Sequence, residues 1–240
     1  MHPDRKDEPP VPTLHAPTAA VDRARAGWPA WRDARIARVT GPEGNLALVE
    51  TIWGARVEDH PGSVPIQRRD LVTGGVEHGV RRFDADSPAN RHFAGIDAYP
   101  FDPAWVVEAR FVPQDLPRQV AFEHLRDNGL TRDLAVPGDI LFTLDGVDYA
   151  LDAFDDDGTL LLVFGDETNG VTSYGAGRFL IVPRAPGADR VVLDFNQAYV
   201  PPCGFSGQYN CPMPPRQNRF RRPVTAGEKL PLFRGGFQAH

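Results

Sequence analysis

The sequence predicts a mainly β fold of about ten short antiparallel strands, closed as a barrel or stacked as a sandwich, with one N-terminal helix. Three observations predict it. Proline and glycine are abundant, 24 and 23 of 240 residues, and leave few stretches long enough for helices. Short runs rich in β-branched and aromatic residues recur between these breakers. Two of the breaks, Asp145-Gly146 and Asp156-Asp157-Gly158, have the chemistry of tight hairpin turns.

Taken in order, residues 1–17 are polar, proline-punctuated and aperiodic, and read as a disordered or loosely ordered arm. Residues 18–240 read as a single β-rich domain. The helix is expected over 18–39, where Trp28, Trp31 and Ile36 can share one face. Pro29 is expected to start or kink it, and both tryptophans are expected as core anchors. The period then changes: 46–53, 78–83, 93–99 and 105–112 read as strands, while 54–77 is too turn-rich to assign. The meander is the cleanest part, with strands at 140–144, 147–154 and 159–164. Two more strands follow at 179–182 and 191–195, and the tail from Leu230 reads as peripheral.

Composition narrows the function classes. The net charge of -6 argues against a sequence-independent nucleic-acid binder, which needs a basic footprint. No apolar run approaches the roughly 18 residues that a membrane span requires. The N-terminus shows no hydrophobic signal segment, so a cytoplasmic setting is expected, with Cys203 and Cys211 as thiols. A small-molecule ligand is the expected partner; neither nucleic acid nor membrane is.

Polar residues crowd into the last third. Asp166, Thr168, Tyr174 and Arg178 lie in one glycine-punctuated loop, Gly165–Arg178. That loop either caps its own turns or binds a polar or anionic ligand through Arg178 and backbone amides. Asp194, Asn196 and Tyr199 follow the strand ending at Leu193, and Arg178 is the expected partner of Asp194. Cys203 and Cys211 have seven residues between them, unlike the spacing of about two to four at local zinc sites. Buried inert thiols are the plain alternative to a nucleophilic Cys203. Glu228 either makes an exposed pair with Lys229 or reaches back into the same pocket as a base. No metal site or cofactor is predicted: the seven histidines form no ligand motif, and Gly175-Ala176-Gly177 is not a dinucleotide fingerprint.

The strings Asp166-x-Thr168-x-Gly170, Thr172-x-Tyr174 and Gly177-Arg178-Phe179 belong to a longer pattern. It continues through Leu193 to Tyr199, Pro201 to Cys203, Cys211 to Pro215 and Ala226 to Lys229. Together they resemble the bacterial and archaeal family known as domain of unknown function 1684. Ser87-Pro88, Phe93–Ile96 and Tyr99-Pro100 fit the same pattern upstream. Three departures are visible: Thr172 and Tyr174 are separated by Ser173, Val200 stands where the family pattern has asparagine, and the segment 54–77 is short and unlike the pattern. The resemblance implies no established reaction.

Three functions follow from these residues. The first is an enzyme acting on a small polar or anionic molecule. There Asp194, Cys203 and Glu228 are the candidate catalytic groups, and Asp166, Thr168, Tyr174, Arg178, Asn196 and Tyr199 the ligand contacts. The second is a non-catalytic module that binds a small ligand or a partner. The third makes the same polar set a structural network. The discriminator is whether these side chains converge on an open pocket or satisfy one another in the interior.

Overall fold

The structure, a computed structural model, describes residues 16–70, 73–126, 131–156 and 159–239. The first helix, α1, spans Thr18–Thr40 and runs through Pro29 without ending there, so Pro29 does not mark its start. It buries Ala20, Arg35 and Val39. Trp28 and Trp31, expected in the core, are only half-buried. Trp28 donates its indole N–H to the carbonyl of Asn196 at 3.3 Å, a partner its amphipathic ring needs at a half-buried position. The expected arm lies almost wholly outside the described residues.

The strands that follow are β1 (Leu48–Trp53), β2 (Val64–Arg69), β3 (Val76–Phe83), β4 (Phe93–Ala98), β5 (Val106–Glu123) and β6 (Thr131–Leu144). They continue with β7 (Val147–Asp156), β8 (Thr159–Phe164), β9 (Arg178–Val182), β10 (Arg190–Asp194) and β11 (Glu228–Phe233). Two of these were not expected. β2 falls in the segment too turn-rich to assign, and β11 falls in the tail that reads as peripheral. In β11 the interior Pro231 hides the strand; it sits in a two-stranded edge pairing with β4, where proline is tolerated.

The main sheet is antiparallel in the order β10-β5-β6-β7-β8-β9. It curls into a half-barrel whose edge strands, β9 and β10, approach one another. Of the two closures left open by the sequence, this is the barrel-like one. At Asp145-Gly146 both residues have positive φ, 49° and 76°, as a two-residue hairpin twisted with its strands requires. The inner face is aromatic: Phe195 stands edge-on to Trp105 at 5.7 Å and to Phe164 at 5.5 Å, and Phe220 closes the same cluster. Burial of such rings is the main stabilising term. A second cluster, containing Phe122, Phe154, Phe179, Cys203 and Cys211, fills the opposite side of the sheet's far end. A three-stranded sheet, β1-β3-β2, stands beside this body. Among the described residues no helix is long and apolar enough to cross a membrane.

Candidate functional site

The Gly165–Arg178 loop is built around an interior ion pair. Arg178 is fully buried, and its Nη2 donates to Asp166 Oδ2 at 2.8 Å and to the Val224 carbonyl at 2.7 Å. Its Nη1 donates to the Ala226 carbonyl and, at 3.3 Å, to that of Glu228. Asp166 Oδ1 accepts the backbone N–H groups of Thr168 at 2.8 Å and Val224 at 3.1 Å. Thr168 closes on Ser173, hydroxyl to hydroxyl, at 2.7 Å. The loop is therefore stapled to segment 224–228 by its own polar atoms, which leaves Asp166, Thr168 and Arg178 little capacity for a ligand. Gly177 and Gly227 make the close approach possible. Both have positive φ, and an added Cβ would stand 2.6 Å from the Phe164 carbonyl and 2.5 Å from the Ala198 carbonyl respectively.

The expected pairing of Arg178 with Asp194 is not made. Arg178 points toward 224–228, where Asp166 meets it, while Asp194 caps the short 3-10 turn Phe195–Gln197. Asp194 Oδ1 accepts the backbone and side-chain N–H groups of Asn196, at 3.1 and 2.9 Å, and Oδ2 accepts Gln197 Nε2 at 3.0 Å. Burial pushes the Asp194 carboxyl above its ordinary range, and these amide donors only partly oppose that. Asn196 is buried and spent: its Oδ1 accepts the Asp102 N–H at 2.8 Å, and its Nδ2 also donates to the Asp102 carbonyl at 3.0 Å.

Glu228 is not exposed, and it does not pair with Lys229, which bonds Asp97 at 2.7 Å. Its carboxylate is fully buried, taking Arg35 Nε on Oε1 at 3.1 Å and the Val200 N–H on Oε2 at 2.8 Å. Arg35 also donates to the Val200 carbonyl at 2.7 Å and lies over the Tyr199 ring, 4.9 Å from its centroid. Desolvation pushes Glu228 up, and the Arg35 guanidinium pulls the other way. Glu228 thus acts on the groove described next through Arg35, not as a base inside it.

That groove lies between α1 and the β9–β10 edge of the half-barrel. It consists of a narrow recess of about 70 Å³ and an open cavity of about 460 Å³, which share Ile181 and Gln197 on their walls. Trp31, Arg35, Arg38 and Tyr199 surround the recess. Arg23, Glu108, Arg190 and Asp194 flank the wider part. Burial pushes the Tyr199 phenol up to about 12, with Arg35 and Arg38 opposing, so it is a hydrogen-bond donor at neutral pH. Of the sequence-predicted residues, the groove gathers Asp194 and Tyr199. It does not gather Asp166, Thr168, Tyr174, Arg178, Asn196, Cys203 or Glu228.

The residues missed by sequence reasoning are Arg35, Arg38 and Gln197. A signal existed: Trp31, Arg35 and Arg38 stand at i, i+4 and i+7 and so share one face of α1. Tyr174 and Cys203 lie together in the second apolar cluster. Burial and the neighbouring Cys203 push the Tyr174 phenol well up. Among the described residues no group of three or more His, Cys, Asp or Glu could hold a metal ion. A separate open cavity of about 780 Å³ lies on the three-stranded sheet beside Arg56, Glu77 and His78. It contains none of the predicted residues.

Sequence comparison extends the resemblance drawn from the motifs. A family model described as protein of unknown function (DUF1684) matches residues 91–229, more than half of the chain. The chain belongs to this family. Both Asp194 and Tyr199 of the DUF1684 groove lie inside the matched segment, whereas α1 and the three-stranded sheet lie outside it. An uncharacterized protein of Haloarcula marismortui, solved by NMR in solution, is similar at 34% identity. That match covers 57% of this chain and 77% of the other, with a TM-score of 0.47. No curated protein matches the chain.

Proposed function

We propose that this DUF1684 protein is a binding module for a small anionic molecule, held in the groove between α1 and the β9–β10 edge. One observation carries the reading: the groove has a local cationic excess in a chain of net charge -6. Arg190 is neutralised by Glu108 and Arg35 by Glu228. Arg23 and Arg38 face the groove and make no hydrogen bond or ion pair among the described residues. Among the described residues, the other carboxyl on the groove wall is that of Asp194, already biased toward its neutral form.

The dimensions support the same reading. The recess holds about two waters' worth of volume, the scale of a carboxylate or phosphate head group. Arg38 and Tyr199 line the recess, and a guanidinium with a phenol suits such a group through charge-assisted hydrogen bonds. The open cavity then takes the rest of a metabolite-sized molecule, within the usual range of about 300–1,000 Å³ for ligand sites. Arg35, locked by Glu228 and the Val200 carbonyl, gives the recess a preorganised floor at little entropic cost.

A catalytic reading has one observation in its favour, the raised carboxyl of Asp194 on the groove wall, which suits proton transfer. Cys203, the candidate nucleophile, lies outside the groove in the second apolar cluster, and the arginine-rich lining favours binding. The test is a thermal-shift screen with small mono- and dicarboxylates, phosphate and matched neutral analogues. Selective stabilisation by the anions supports the proposal; equal effects of the neutral analogues, or none from either, would count against it.

A further inference from the structure

Outside the groove, the two cysteines form a built arrangement that the binding function does not use. Seven residues separate them in sequence, yet the backbone N–H of Cys203 donates to Cys211 Sγ at 3.3 Å. That contact brings the Cys211 sulfur to the Cys203 backbone, and both residues sit in the same apolar cluster. Both are free and buried, among Phe122, Phe154 and Phe179. A lone buried cysteine is ordinarily an inert apolar filler. Two that meet across a folded loop are a different object, because they can close into a disulfide with sulfurs about 2.05 Å apart.

The surroundings make the pair asymmetric. The neighbouring Cys211 side chain lowers the Cys203 pKa, burial opposes it, and Tyr174 and Arg126 add to the lowering. Cys203 and burial push the Cys211 thiol the other way, above its ordinary range. The division is that of an attacking and a resolving thiol. The loop they would close is a clasp. Its Gln208 receives the backbone N–H of Thr51 in β1 at 3.0 Å. Its Tyr209 and Asn210 receive Arg126 at 3.1 and 2.8 Å, and the Cys211 carbonyl takes the Leu125 N–H at 3.0 Å.

We propose that Cys203 and Cys211 are a redox couple, which a hydroperoxide converts into an intramolecular disulfide that fastens the 203–211 clasp. The Cys203 thiolate attacks the peroxide; an S–O bond forms, the O–O bond breaks, and the leaving oxygen departs protonated as water or alcohol. The Cys211 sulfur then attacks the resulting sulfenic acid. The S–S bond forms, the S–O bond breaks, and the Cys211 proton leaves with the hydroxide as water. The peroxide gains two electrons and the dithiol loses two.

The test treats the folded full-length chain with a few equivalents of hydrogen peroxide, followed by acid quench, unfolding, alkylation and peptide mass mapping. The expected result is loss of two hydrogens with both cysteines protected from alkylation. Dithiothreitol should reverse it, and the melting temperature should rise by roughly a few degrees. Cys211→Ser should instead trap Cys203 as a sulfenic acid that takes up dimedone. Full alkylation of both cysteines after peroxide, sulfinic acid without a disulfide, or disulfide-linked dimers would each overturn the proposal. If Cys211→Ser fails to fold, the wild-type mass map decides alone.

Discussion

Arg35 of α1 and Glu228 of β11, 193 positions apart, meet in a buried ion pair with Nε 3.1 Å from Oε1. This contact ties the long helix α1 to the strand that begins within the family's last motif, and it holds the Arg35 guanidinium against Tyr199 at the floor of the groove. Removing one partner strands the other charge in the interior. Glu228→Ala is therefore expected to destabilise the fold by about 3–5 kcal/mol, measured by urea unfolding at neutral pH. Glu228→Gln, which keeps the hydrogen-bonding shape, should cost less.

Asp166 and Arg178 form the second interior pair, and it serves the loop rather than the groove. Asp166→Ala should lower stability by a similar amount, about 3–5 kcal/mol, while leaving the anion affinity of the folded fraction unchanged. Calorimetric titration below the unfolding transition separates the two quantities. A proportional loss of affinity would return Asp166 and Arg178 to the ligand site.

Binding should depend on pH through Asp194. Its carboxyl is raised in the folded protein by burial, so it carries its proton at pH values where an ordinary aspartate is already ionised. Protonation removes a negative charge from the groove, so anion affinity should rise as pH falls toward that raised value. Asp194→Asn should flatten the profile. Affinity titrations across the weakly acid range check both statements.

Asp152 predicts an unusual pH dependence of stability. It is buried on β7 opposite Asp139, with Arg118 bonded to both, and its Oδ2 has no hydrogen-bond partner among the described residues. Burial raises its pKa above the unfolded value, with Asp139 adding to the shift and Arg118 opposing it. Between the unfolded and folded values the native state binds more protons, so this group's contribution to stability grows as pH falls through that window. Above the raised value it is a standing penalty. Asp152→Asn should shrink this acid-side gain in denaturation curves collected at a series of pH values.

Much of the fold was legible because local chemistry decided it. Asp145-Gly146 announces its hairpin through the positive φ that only such residues accept readily. The long extension of β5 was not legible. The expected strand covers only 105–112, yet β5 continues past Pro113 and Pro117 by shifting register between Pro113 and Arg118. In the site, the density of polar residues pointed to the right third of the chain but could not say which side chains face inward. Arg178 and Asn196 are buried by contacts with residues 224–228 and Asp102. The groove's other wall comes from α1, more than 150 positions before Asp194, and only the tertiary fold joins the two. The strand-end position of Asp194 and Tyr199 could be read in sequence; the arginines they face could not.

The most direct test of the anion-binding groove is calorimetric titration of wild type and Arg38→Gln with the best carboxylate or phosphate from the screen. Arg38 is exposed and makes no hydrogen bond or ion pair among the described residues, so the variant should fold with unchanged stability. The account predicts saturable one-site binding to wild type and an affinity roughly tenfold or more weaker in the variant, the scale of one lost charge-assisted hydrogen bond. Binding of equal strength in both proteins, or an anion that saturates neither, would contradict it.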